Sequence, residues 1–252
     1  MNPGLDERVL AGKHVLVTGG SRGLGRAFCI RFASAGARIA FTYARDAGAA
    51  EQTLAACRAL SADGRAYHAS VLDTSATSTM VEDLERSWGS LDILVNNAGV
   101  IQNLPLALLE EADWDSVLDV NLKGCFLTSR AVLPGMIRRR HGVILNVGSV
   151  AGIRMTEAAV HYTASKAALA GLTSAMAREV GRYAIRVVCL APGLLDEGMA
   201  ASLPPRRTNE YLEHCALGRL ASLDEIAELA TFLVSDRCSF MTGATVVIDG
   251  GI

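Results

Sequence analysis

Metal-ligand spacing, membrane-length apolar runs and an excess of either charge are all missing from this 252-residue chain. Its six cysteines, Cys29, Cys57, Cys125, Cys189, Cys215 and Cys238, form no CxxC pair, and no histidine stands at a zinc-type spacing from them. That pattern argues against a metal site or a disulfide framework and for thiols used as small core hydrophobes in a reducing compartment. No apolar run approaches the ~20 residues of a membrane span. The opening MNPGLDERVL lacks the basic-then-apolar layout of a secretion signal, so a cytoplasmic protein is expected. With 24 Lys+Arg against 26 Asp+Glu, the formal charge of −2 gives no general electrostatic reason to bind nucleic acid or an anionic membrane. Neither an internal repeat nor a low-complexity linker interrupts the chain, so residues 1–252 read as one domain.

What is present is alternation. Half of the residues are apolar, enough for a substantial core. Short β-branched or apolar runs at 14–18, 38–43, 92–96, 143–147, 185–190 and 244–249 read as strands, with "RAYHAS" (65–70) as a weaker seventh. Helix-compatible spacing fills 25–35, 47–61, 75–88, 112–139, 159–182 and 222–235. Repeated βα units of this kind predict an α/β fold: a doubly wound, seven-stranded parallel sheet with helices on both faces. Chemistry should then gather just beyond the C-terminal strand ends. The segment 194–217 follows a strand but contains Pro204-Pro205 and an uneven pattern, which suggests a lid over the site.

"VTGGSRGLGRAF" (17–28) ends a strand and opens a helix. Gly19, Gly23 and Gly25, with Ser21, Arg22 and Leu24 between them, form a loop whose N–H groups and helix N-terminus suit a pyrophosphate. Its spacing differs from GxGxxG, and a plain tight turn is the competing reading. No Lys-Ser/Thr follows, which disfavours a P-loop NTPase. The second strand ends "FTYARD", with Tyr43 and Arg45 where a ribose-binding carboxylate is often found. Arg45 and Arg22 suit a 2′-phosphate, favouring NADP over NAD, although Asp46 keeps NAD possible. Asp73 suits an adenine-side contact or, alternatively, an N-cap for the helix near 75.

Tyr162 and Lys166, four apart in "HYTASKAALAGL" (161–172), share one helix face, so an ammonium can stand beside a phenol that serves as proton donor. The competing reading is a surface helix with a snorkelling lysine.

Taken in order, "TGGSRGLG" (18–25), "NNAG" (96–99), Asn121 in "DVNLKG", Ser149 in "NVGSV", "YTASK" (162–166) and Pro192-Gly193 resemble the short-chain dehydrogenase/reductase family over residues 9–252. "NNAGV", "RRRHGVILNVGSVAG" and "SFMTGATVVIDGG" look most like its β-ketoacyl-(acyl-carrier-protein) reductases of fatty-acid and polyketide synthesis. The resemblance implies a Rossmann fold, NADPH as cofactor with NADH the weaker choice, and a catalytic set of Asn121, Ser149, Tyr162 and Lys166. Tyr162 would protonate the developing alkoxide and Ser149 would donate a hydrogen bond to it. Lys166 would hold the nicotinamide ribose, and Asn121 would anchor a proton-supplying water. Asn97, Ala98 and Gly99 would line the cofactor, and Pro192, Gly193 and backbone near Leu195 would meet the carboxamide. Relatives often carry a threonine where this chain has Glu197, so either the loop turns Glu197 outward or closure over the cofactor differs.

"IRRRHG" (137–142) is a cationic knot. Arg138, Arg139 and Arg140, with Arg182 on the same rim, are candidates for docking an acidic carrier of an acyl thioester. A solvated helix end is the competing reading. Met199, Leu203, Tyr211 and Leu212 would line an acyl site, and relatives with this layout are commonly homotetramers. Rival functions are a reductase or dehydrogenase of a free small molecule and a cofactor-binding scaffold without turnover.

Overall fold

The computed structural model describes residues 8–60, 63–154, 157–198 and 205–252. Seven strands, β1 (His14–Val17), β2 (Arg38–Tyr43), β3 (Gly64–His68), β4 (Ile93–Asn96), β5 (Gly142–Val147), β6 (Ile185–Pro192) and β7 (Thr245–Ile248), form one sheet. All pairings are parallel, in the order β3-β2-β1-β4-β5-β6-β7. The order reverses between β1 and β4, which opens a crevice at their C-terminal ends.

Strand residues alternate between two cores, as a period of two requires. Val15, Val17, Ile39, Phe41, Val143 and Leu145 pack with α1 (Gly23–Ser34), α2 (Ala47–Leu60) and α8 (Leu223–Val234) on one face. Leu16, Ala40, Leu94, Ile144 and Val187 pack with α3 (Thr74–Trp88), α5 (Gly124–Arg139) and α6 (Val160–Val180) on the other. The six cysteines are buried and unpaired with one another, as small hydrophobes would be. No helix among the described residues is long and apolar enough to cross a membrane.

Local chemistry sets the helix ends. Ser222 and Glu225 form a reciprocal capping box at the start of α8. Arg140 (φ +51°) closes α5 in the left-handed conformation. β3 reads weakly in the sequence because it is the sheet's edge and only partly buried. The expected helix 112–139 is α4 (Glu111–Leu118) and α5 joined by a π turn, Asp119–Lys123. One helix is not expected from the sequence: α7 (Pro205–His214) lies within the uneven segment 194–217. A proline pair suggests a break, but proline at the first helical position loses no hydrogen bond.

Candidate active site

The glycine loop leaves β1 and is fastened from three sides, by the loop after β4, by β2 and by α2. Thr18 Oγ1 accepts from Asn97 N and Ala98 N, both at 3.0 Å, and Asn97 Nδ2 donates to Thr18 O (3.0 Å) and Gly19 O (3.2 Å). Gly19 N donates to Thr42 Oγ1 at 3.1 Å, and Thr53 Oγ1 donates to Ser21 O at 2.9 Å. Gly19 (φ +68°) and Gly23 (φ +51°) are left-handed, and a Cβ on Gly25 would collide with Gly19 O and Asn97 Nδ2. Gly20, which the sequence pattern does not single out, is equally constrained: a Cβ there would run into Phe41 and Cys29 Sγ. Helix α1 begins at Gly23 with no side-chain cap from Arg22 and no acidic residue in its first turn. A close-packed backbone cradle at an uncapped, positive helix end fits a dinucleotide pyrophosphate.

At the end of β2, Tyr43 lies tilted against His68 with ring centroids 5.3 Å apart. Arg22, Arg45 and Asp46 are exposed, and Asp46 Oδ1 accepts Ala49 N at 2.9 Å near the start of α2. Asp73 Oδ1 likewise accepts Ala76 N at 2.9 Å, so its carboxylate serves as the α3 N-cap.

β4, β5 and their covering helices share a buried amide network. Asn96 Nδ2 donates to Asn146 Oδ1 (2.8 Å) and Ser129 Oγ (3.0 Å), Thr128 Oγ1 donates to Asn96 Oδ1 (2.6 Å), and Asn146 Nδ2 donates to Thr173 Oγ1 (2.9 Å). The network satisfies every polar group it buries, so it fixes the strand ends beneath the site rather than weakening the core.

The four residues expected to be catalytic come from three places: the π turn, the loop after β5, and α6, which carries both Tyr162 and Lys166. Asn121, fully buried, lies in the π turn, the kind of helix irregularity that recurs at functional sites. Its Oδ1 accepts Val100 N (2.8 Å), and its Nδ2 donates to Val100 O and Ser165 Oγ (both 3.0 Å). The side chain thus clamps the loop after β4 to α6, and one Oδ1 acceptor position is left for the water expected there. Lys166, buried on α6, donates from Nζ to Val147 O at 2.7 Å, and its Nζ stands 5.8 Å from the Tyr162 ring centroid. A Cβ on Gly99 would lie 3.3 Å from Asn121 Oδ1 and 3.7 Å from Lys166 Nζ, so glycine keeps the space between amide and ammonium open. Tyr162 is buried with Val117, Ala151 and Ala159. Ser149 follows β5 and its Oγ accepts Ala151 N at 3.2 Å, capping the 3₁₀ turn Val150–Gly152 that packs on α6.

After β6, Gly193 N donates to Ile248 O at 2.8 Å, and Leu195 makes an isolated parallel bridge with Ala221. Glu197 is exposed, which fits the outward turn of the two alternatives. Of the acyl-site candidates, Met199 and Leu203 lie outside the described residues, as does part of the 194–217 segment. Tyr211 donates to Asp249 O at 2.7 Å, so its hydroxyl is engaged.

The cationic knot stands at the other end of the sheet. Arg138 and Arg139 each pair with Glu85 at 2.9 Å. Arg140 Nη2 donates to Arg182 O at 2.8 Å, so the two share a rim. That rim precedes β5 and β6, whereas Ser149 and Pro192 lie at their C-terminal ends. Tyr162 and Arg182 are near opposite ends of α6, whose 21 residues span about 30 Å.

Residues 19–252 match a family model described as enoyl-(acyl carrier protein) reductase. The 3-oxoacyl-(acyl-carrier-protein) reductase of Staphylococcus aureus is 36% identical over 240 residues, covering 95% of this chain and 98% of the relative. That of Thermotoga maritima is 37% identical over 245 residues, covering 96% and 98%. A solved short-chain dehydrogenase/reductase of Serratia marcescens superposes with a TM-score of 0.89 at 36% identity, covering 96% of this chain and 98% of the other. A structure described as a putative short-chain alcohol dehydrogenase from Sinorhizobium meliloti gives 0.90 at 34%, with 96% of both chains covered. With the parallel sheet, the glycine cradle and the Tyr162–Lys166 pair in place, these matches establish that the chain belongs to the short-chain dehydrogenase/reductase family of nicotinamide-dependent oxidoreductases.

Proposed function

We propose that this chain reduces a 3-oxoacyl thioester, carried on an acyl carrier protein, to the 3-hydroxyacyl thioester of fatty-acid or polyketide synthesis, with NADPH as cofactor. The observation that carries the reading is the grouping of Asn121 and Lys166 around the space left by Gly99, with the Tyr162 ring 5.8 Å from that ammonium, in a chain that matches curated 3-oxoacyl reductases over nearly their whole length.

A bound nicotinamide supplies a hydride to the keto carbon. The residues of this chain do the rest. The loop at Gly19–Gly25 and the N-terminus of α1 hold the pyrophosphate, and Asn97, Ala98 and Gly99 bound the cofactor further in. Arg22 and Arg45 hold the 2′-phosphate. Asp46, the competing ribose acceptor, spends only Oδ1 on Ala49 N, so the preference for NADPH over NADH rests on the two exposed arginines, Arg22 and Arg45. Pro192, Gly193 and Leu195 would meet the carboxamide, Asp73 and Tyr43 would lie on the adenine side, and the described residues 194–198 and 205–217 would border the substrate. The Tyr162 hydroxyl gives its proton to the forming alkoxide, and Ser149 donates a hydrogen bond that strengthens as negative charge builds on that oxygen. Lys166 exchanges its bond with Val147 O for the ribose hydroxyls and stabilises the phenolate left behind. Asn121 holds the loop and a water through which the proton is replaced.

Arg140 and Arg182 dock the acidic carrier. They stand about 30 Å from Tyr162 along α6, so the carrier would dock away from this copy's own Tyr162; the resemblance also implies a homotetramer. Six buried free thiols fit a reducing, cytoplasmic setting.

Loss of nicotinamide absorbance, followed with NADPH and with NADH, tests the reading on acetoacetyl thioester, crotonyl thioester and free ketones. The crotonyl arm is there because the family model is described by a carbon–carbon double-bond reduction. NADPH oxidation with the acetoacetyl substrate, cut at least about 100-fold by Tyr162→Phe, supports it. Turnover of the crotonyl substrate or free ketones alone replaces the substrate, and no turnover with any of them favours the scaffold.

A further inference from the structure

Asp249 stands where three segments bordering the site meet, and different atoms tie each one. Its main-chain carbonyl accepts the Tyr211 hydroxyl of α7 at 2.7 Å. Its Oδ2 accepts Arg154 Nε at 3.4 Å, and its Oδ1 accepts Gly251 N at 2.9 Å. Arg154 follows the 3₁₀ turn that Ser149 caps, so this cation belongs to the serine's own loop. The Asp249 side chain is 9% exposed and that of Arg154 49%, a covered carboxylate holding a half-exposed cation.

Tyr211 closes over the same corner: a Cβ on Gly193 would collide with its hydroxyl. The turn itself, Asp249-Gly250-Gly251, lies past the end of β7 and carries two left-handed glycines (φ +72° and +88°). Its position therefore depends on what holds it as much as on the sheet. Arg207 of α7 pairs with Glu157 at 2.9 Å and forms a parallel tie between α7 and the segment after Ser149.

We propose that Asp249 is a positioning residue that couples α7 to the Ser149 loop, so that the two move as one wall of the thioester site. The proposal rests on the reductase reading for its kinetic consequence but not for the coupling itself. Each tie is individually weak. Because both act on one glycine-rich turn, releasing either frees the turn and thereby the other segment, a reciprocity that any true coupling must obey.

Hydrogen–deuterium exchange of the full chain tests this in a Glu157→Ala background, where the parallel tie is gone. Arg154→Gln should raise exchange about two- to fivefold in 205–214 as well as in 150–154, and Tyr211→Phe should raise the same two segments. Arg154→Lys should restore protection in both. A rise confined to the substituted segment overturns the proposal. In turnover, each substitution should raise KM about two- to fivefold with a smaller change in kcat, and the double variant should be no worse than the worse single. Losses that multiply overturn it. An inactive wild type would sink the substrate reading while the exchange experiment still decides the coupling.

Discussion

Lys166 Nζ donates to the main-chain carbonyl of Val147 at 2.7 Å, so the ammonium is anchored to the last residue of β5, two positions before Ser149. Replacing Lys166 by Met should lower kcat at least about 100-fold, since it removes the charge beside Tyr162. The loss should exceed the change in KM for the thioester. Steady-state kinetics check it, and a loss in thioester KM alone would remove Lys166 from the proton-transfer step.

Asn121→Ala removes three hydrogen bonds from a fully buried position and leaves Val100 N and O without partners. About 2–4 kcal/mol of stability should go with them. For a chain of this size that lowers Tm by about 5–12 °C, measurable by thermal melting. A melting point within a degree of wild type would show that water replaces the clamp.

Gly25→Ala and Gly23→Ala separate steric closure from backbone strain. The first drives a Cβ into Gly19 O and should abolish saturable cofactor binding. The second meets nothing within 4 Å but holds φ at +51°, and should cost about 1 kcal/mol of stability with binding retained. Cofactor fluorescence titration of both variants decides the point. Equal affinities would refute the role of the Gly25–Gly19 approach.

Burial lowers the pKa of both His14 and His161 from 6.5, although Asp92 and Asp113 respectively pull the other way. The unfolded chain therefore binds protons first as the pH falls. The stability these rings contribute is present above about pH 6.5 and is lost as the pH drops through their folded values. Neither ring nitrogen of His161 has a hydrogen-bond partner among the described residues. His161→Leu should flatten the fall in urea-unfolding stability between about pH 7 and pH 5. An unchanged slope would assign that fall to His14 and other groups.

Arg140→Glu reverses the charge that Arg138 and Arg139 cannot supply, since Glu85 already neutralises part of theirs. Reduction of carrier-bound substrate should weaken about tenfold, with the effect fading at high salt, and reduction of a small thioester should hold. Equal losses for both substrates would end the docking proposal.

The sheet is legible because its inner strands are buried on both faces and punctuated by glycine loops, and Tyr162 and Lys166 because a helix repeats every 3.6 residues. Thr42 and Thr53 are not: each acts on the glycine loop by one side-chain bond across more than twenty residues, and no local pattern records such a partner. Ser165 is visible only as a letter inside "YTASK", and its link to Asn121 needs the α6 face and the π turn together. Helix α7 is hidden by a proline pair that reads as a break. The place of Arg140 before a strand and Ser149 after it is in the sequence, but only the parallel sheet turns that order into opposite ends of the molecule.

The π turn at Asp119–Lys123 has one more consequence. An α-helical path through the same residues would rotate everything before it by about 100° relative to α5. Deleting one residue there would heal the hydrogen-bond ladder while turning Asn121 away from Val100, Ser165 or both. The helix is thus phased twice, once for the wall of the site and once for the sheet it covers, and the wide turn is the seam between two registers that a straight helix cannot satisfy together.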